Sequence, residues 1–201
     1  MFTRWYAALR LAETGSATGA ATDAGTGSEA ASGAATGAGT ASVTGAGTGS
    51  EAESEAEAAY RDAATRLPGS GMPGLADGLL PLALLCLRVR YGLPPRPGDP
   101  AGFGPYEPWA RPLVLLAEGR REAAAAALRE VPDPPRDLLL EALWCLTARA
   151  ALALGDRPVM ERAYAALRPA EAELAGAGSG LLTVGPVARH LDDLAVALRR
   201  P

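Results

Sequence analysis

The sequence predicts an all-α protein: stacked helical hairpins forming an α-solenoid, interrupted near the start by a disordered low-complexity insert. Three observations predict it. From Trp109 to Pro169 one unit runs twice, each time a helix carrying a tryptophan, a glycine turn and an alanine-rich helix. The turn glycines, Gly119 and Gly155, lie 36 residues apart, close to the roughly 34-residue period of helix–turn–helix repeats. No segment shows the two-residue alternation of a half-buried strand.

Residues 1–14 form the first helix of the array, with Phe2, Trp5, Tyr6, Leu9 and Leu11 as its apolar stripe. Residues 15–50 are almost all Gly, Ala, Thr and Ser with a recurring Thr-Gly pair, and Val43 is their single large apolar side chain. Burial cannot offset the ordering entropy of such a tract, so it is expected to be disordered. The repeat places it inside a hairpin rather than between domains. Trp5 lies ten residues before Gly15, Trp109 ten before Gly119 and Trp144 eleven before Gly155. Leu128 and Tyr164 each lie nine past their turn glycine, and Tyr60 takes that place if the tract is an expanded turn. Lengthening a turn to nearly forty residues adds only about 2 kcal/mol of closure entropy. The helical-repeat domain then spans 51–201.

A helix is expected over 51–66. Its acidic run Glu51, Glu53, Glu55 and Glu57 reads as a solvated face near the positive end of the helix dipole. Residues 67–74 form a loop. The segment 75–91 is apolar on nearly every side until Arg88 and reads as a central buried helix. Pro81 either marks its first turn or kinks it. Six prolines make 92–108 a stiff, extended surface segment, and Pro108 suits the opening of the next helix. Helices follow over 108–118, 120–131, 137–154 and 157–168. Asp137 is placed to cap the third, and Gly155 ends it. The run GAGSG at 176–180 reads as a flexible joint. A last amphipathic helix runs from Pro186 to Leu198, with Val187, Leu191, Leu194, Ala195 and Leu198 inward and Arg189, His190, Asp192 and Asp193 outward. A polar-faced terminal helix is what closes a stack of repeats.

Composition narrows function more than it names it. The 201 residues carry a net charge of −4, which argues against the basic footprint of a nucleic-acid binder. Lysine is absent, which removes the P-loop and Schiff-base chemistries within this chain. The absence of Lys, Ile and Asn fits the codon bias of a GC-rich genome. Cys86 and Cys145 sit in apolar runs and read as reduced core thiols; a disulfide is the alternative. The start, MFTRWYAALRLAETG, lacks a signal-peptide pattern, and the apolar run Leu79 to Leu87 is far shorter than the roughly 20 residues of a membrane span. A soluble cytoplasmic protein is expected.

His190 has no second histidine with which to build a site, so it reads as solvent-exposed. Gly69, Gly71 and Gly74 fit GxGxxG by chance, because no strand precedes them. Ser179 lacks the flanking glycines of a nucleophile elbow. Pro94 to Pro97 fit PxxP, read here as a stiff loop. In a stacked array the first helix of each hairpin lines the concave face, so Trp109, Arg111 and Arg149 are the candidate partner-binding residues, Trp and Arg being good anchors. The bland alternative is that Trp5, Trp109 and Trp144 fill the space between hairpins.

The turn LxEGRREAAxxAL and the repeat around Gly155 resemble tetratricopeptide units; five past Gly119 stands the usual small residue, Ala124, and five past Gly155 stands Met160. The stretch 137–200 resembles the C-terminal helical-repeat region of large actinobacterial transcription regulators. These are of the SARP type, with a bacterial transcriptional activator domain, or of the LuxR-like type with an ATPase core. The resemblance implies a regulatory scaffold that binds a protein or peptide. The winged helix, recognition helix and ATPase motif of those regulators have no counterpart here, so DNA binding and ATP hydrolysis are not carried over. The expectation is a non-enzymatic helical-repeat module without cofactor or metal; a small-molecule-sensing domain or an enzyme of unrecognised type are the alternatives.

Overall fold

The computed structural model describes residues 47–65, 77–96 and 102–200. The expected first helix, residues 15–46 of the low-complexity tract and the GxGxxG match lie outside them. The described chain is mostly helical: α1 (Gly47–Ala64), α2 (Leu79–Arg90), α3 (Glu107–Ala117), α4 (Arg121–Arg129), α5 (Leu140–Leu154), α6 (Arg157–Leu167) and α7 (Val187–Arg199). Short 3-10 turns at Gly104–Tyr106, Arg168–Ala170 and Ala177–Ser179 join them.

The fold centres on α5, which packs against α2, α3, α4, α6 and α7. Its sequence explains why. Nine of its fifteen residues are buried, and Ala142, Ala148, Ala150 and Ala151 are fully so. Alanine at these positions lets neighbouring helix axes approach closely. Leu143 and Leu146 supply the bulk, each worth about 2 kcal/mol on burial. The buried hydroxyl of Thr147 donates to the Leu143 carbonyl at 2.9 Å, so its polar group costs little.

Both predicted glycine turns close in the same way. Gly119 and Gly155 take φ of 75° and 76°, a left-handed conformation that only glycine adopts without strain. Arg120 N–H then bonds the Leu115 carbonyl and Asp156 N–H the Ala151 carbonyl, the closing bond of a Schellman turn. Hairpin α3–α4 and hairpin α5–α6 result, and α3 lies against α5. Ala124 and Met160, five past each glycine, are both buried, so the larger side chain is accommodated.

Several expectations change. Helix α1 begins at Gly47, four residues inside the expected insert, so Glu51 falls beyond the first turn and gains little from the dipole. Glu53 is not solvated: only 5% exposed, it meets Arg88 Nη1 at 2.8 Å. Glu53 lies on the stripe of Ala56, Tyr60 and Ala63 that α1 turns to the core, and Arg88 neutralises it there. Pro81 sits in the first turn of α2 and is buried. Asp137 does not cap α5. A turn intervenes, so its carboxylate accepts from Leu139 N–H at 2.9 Å, and the residue before the helix, Leu139, has no side-chain cap. Residues 176–180 are a packed turn rather than a loose joint: a Cβ on Gly176 would lie 2.7 Å from Leu182 Cδ1 and 3.1 Å from Ala142 Cβ. This turn belongs to a small antiparallel pairing of β1 (Leu174–Ala175) with β2 (Gly185–Pro186) that no alternation pattern foretold. Two residues per strand are too few to show a period.

Candidate functional site

The three expected partner-binding residues are placed differently from one another. Trp109 is 7% exposed, and its indole N–H donates to the Pro132 carbonyl at 3.1 Å. Trp144, also 7% exposed, has the Arg162 guanidinium 5.7 Å from its ring centroid. Arg162 in turn meets Asp133 Oδ1 at 2.6 Å. Both tryptophans thus hold the segment that joins the two hairpins, one through Pro132 and the other through Arg162 and Asp133. Each tryptophan is packed beside that segment, with 7% of the residue exposed. Arg111 is exposed on α3. Arg149 is half-buried on α5 and turns toward α7, where its Nη1 lies 3.3 Å from Asp193 Oδ2.

Ionisable groups do converge around Arg149. The other member is His190, which corrects the expectation that it faces solvent: it is 3% exposed. The period of α7 contains the signal. Val187, His190, Leu191 and Leu194 recur at helical spacing on one face, and all are buried. Neither imidazole nitrogen makes a hydrogen bond of standard geometry. Burial drives the pKa of His190 from 6.5 down to about 4. The Val184 backbone opposes that shift, Arg149 and Arg189 reinforce it, and Asp193 opposes it. The ring is therefore neutral near pH 7.

The arginines at the end of α2 close this side of the molecule. Arg88, besides meeting Glu53, donates through Nε to the Pro94 carbonyl. Arg96 Nη1 meets both carboxylate oxygens of Glu57 at 3.1 Å. The polyproline-rich segment is thus tied to α1 and α2 through arginine. Arg189 Nη1 donates to the Arg90 carbonyl at 3.0 Å, joining α7 to α2. Arg90 is itself 4% exposed and runs beneath Gly185, whose Cβ position is 3.5 Å from Arg90 Cγ.

The two cysteines are free and buried, Cys86 on α2 and Cys145 on α5. Burial pushes both thiols above their ordinary range, so neither carries much nucleophilic thiolate. Among the described residues, no group of three or more His, Cys, Asp or Glu is placed to hold a metal ion, and no helix is long and apolar enough to cross a membrane. The chain matches no family model, no curated protein and no solved structure.

Proposed function

We propose that the protein is a non-enzymatic helical-repeat scaffold of the tetratricopeptide-like kind, acting in the cytoplasm as a regulatory module through a protein or peptide partner. One observation carries this reading. Two consecutive hairpins turn on glycines 36 residues apart with the same backbone geometry, and the first helix of one packs on the first helix of the next. Repeats of this kind build a continuous surface on one side of the array. The relation to SARP-type or LuxR-like transcription regulators rests on the sequence resemblance of 137–200 alone.

Within this reading Arg111 is the strongest of the three candidate contacts, because its guanidinium is exposed. Arg149 contributes by exchanging Asp193 for an acidic group on the partner, since a half-exposed ion pair is weak enough to be replaced. Trp109 contributes through the shape it gives α3 rather than through its ring face. The test is capture of partners by wild-type protein and by Arg111→Glu and Arg149→Glu, compared in parallel. The reading requires at least one protein that is retained by the wild type and lost, by tenfold or more, from a charge-reversed variant that still folds. Retention by all three forms would assign binding to another face; no specific retention would remove the proposal.

The convergence of Arg149, Asp193 and His190 supports a second reading, an enzyme of unrecognised type in which these groups form the polar cluster and Arg149 receives an anionic ligand. Under that reading, native mass spectrometry of the purified chain finds a stoichiometric ligand that Arg149→Met loses.

A further inference from the structure

We propose that α7 is an acid-released latch: a proton taken up by His190 undocks this helix from α5 and α6 while the rest of the fold stays in place.

The geometry is that of a buried base in the packed face of a helix. Helix α7 packs on α5, α6 and β2, and His190 stands in the middle of its packed face between Val187 and Leu194. The imidazole is 3% exposed and lacks a standard hydrogen bond at either nitrogen. Neutral, it behaves as an apolar plate. Charged, it is an ion cut off from solvent, with only the Val184 backbone and the already paired Asp193 to favour the charge, and such a group either expels its proton or leaves the interior.

The surrounding groups add to the penalty. Arg149 faces the ring from α5, and Arg189 and Asp193 stand beside it on α7. Asp193 is the one compensating carboxylate, and it already pairs with Arg149. The buried residues of α6 are Val159, Met160, Ala163 and Leu167, none of them titratable. From the β1–β2 side comes the Val184 backbone. Three charges of the pair-and-neighbour set are thus fixed, two of them positive, and a third positive charge has no counter-ion within the packed face. Outside its packed face, α7 is tied to the rest of the fold by hydrogen bonds near its two ends. It is held at its start by Val187 N–H on the Glu173 carbonyl and by Arg189 on the Arg90 carbonyl, and at its end by Arg157 on the Arg200 carbonyl.

The direction follows from linkage. The folded state binds the proton more weakly than the released helix does, so docking is unaffected above about pH 6.5 and weakens as pH falls from there toward 4. At pH 4.5 the released population rises roughly 50- to 100-fold relative to pH 7 by that linkage.

The 201-residue chain has a single histidine, which makes the test direct. Its one imidazole Cε1 proton resonance is followed by NMR from pH 8 to 4. Amide exchange, corrected for intrinsic rates, is measured over the same range for peptides covering α7 and α3. The latch requires that the folded-state resonance show no titration at pH 6.5 and that α7 lose protection on acidification while α3 keeps it. It also requires that His190→Leu, or His190→Gln should the leucine form not fold, abolish that loss. Asp193→Asn should retain it. A histidine midpoint at 6 or above, parallel loss of protection in α3 and α7, or an unchanged acid response in the His190 variants each overturns the proposal.

Discussion

The two hairpins start from the same turn and end as different structures. In the first, α3 carries Pro112 within it, and α4 is nine residues long with only Ala124 and Leu128 fully buried. In the second, α5 is fifteen residues long with nine buried, and α7 packs on both α5 and α6. Their start signals differ as well. Asp156 caps α6 by accepting from Val159 N–H at 3.2 Å, whereas Arg120 stands at the same place before α4 and caps nothing. The first hairpin instead leans on its neighbour: Arg121 donates to the carbonyls of Ala153 and Leu154 at 2.9 and 3.0 Å, covering the exposed end of α5. A glycine turn therefore specifies that a hairpin forms, while position between neighbours decides how much stability it carries.

Core truncation tests that contrast most strongly. Leu146 and Leu128 are both almost fully buried, at 0% and 1% exposure. Leu146→Ala opens a cavity in a helix enclosed on several sides and should cost about 4 kcal/mol in urea denaturation. Leu128→Ala should cost about 2 kcal/mol, because the short α4 has freedom to settle into the space. Equal costs would mean that both hairpins are equally enclosed.

Acid should loosen the helix that packs on the second hairpin, α7, selectively. The folded-state pKa of His190 is lowered to about 4 against 6.5 when the chain unfolds. Its stabilising neutrality is complete above pH 6.5 and is lost as pH falls to 4, up to about 3 kcal/mol. Urea midpoints measured at pH 7.5 and 4.5 should differ for the wild type and much less for His190→Leu. Leu128→Ala should leave the pH difference unchanged, since α4 does not touch this site.

How far the sequence revealed this arrangement depends on the kind of signal. The helices from 107 to 167 were legible because apolar periodicity and glycine or proline punctuation coincide there. The limits of α5 were less so, since Asp137 resembles a cap but lies one turn too early. His190 and Glu53 depart from the sequence reading for one reason: in that reading residue type outweighs register. His190 and Glu53 each sit in their helix's buried stripe, where the period read without regard to polarity places them inside, whereas Arg88 is buried in a helix enclosed on nearly every side. What period cannot reveal is the partner. That Glu53 meets Arg88, or that Arg162 covers Trp144 while bonding Asp133, depends on how separate helices dock. Trp109 reads from the sequence as an anchor or as filler; its hydrogen bond to Pro132 is set by the path of the connecting segment, which no period records.

Below these effects lie the turns themselves, where the hairpins should behave alike. A Cβ on Gly119 or on Gly155 would meet nothing within 4 Å, so substitution is limited only by the positive φ. Gly119→Ala and Gly155→Ala should each cost about 1 kcal/mol in thermal or urea denaturation. Similar values at both would confirm that backbone strain alone is being read; a much larger value at Gly155 would show that the central turn also positions packing.

The smallest effect is the most informative about why the hairpins differ. Arg120 has φ −87° and ψ 60°, near the −79° and 90° of Asp156, so the backbone before α4 already approximates that of a capped helix. Only the acceptor is missing. Arg120→Asp should supply it and raise stability by about 0.5–1 kcal/mol, the ordinary worth of a cap. It gives up only the exposed pair with Glu118, which contributes little. Asp156→Ala should lose about 1 kcal/mol by the same reasoning. If the Arg120→Asp gain is seen, the weakness of the first hairpin lies partly in its own start signal. If the substitution is neutral while Asp156→Ala is costly, the difference lies entirely in what surrounds each hairpin, and no local change in α4 would make the two equal.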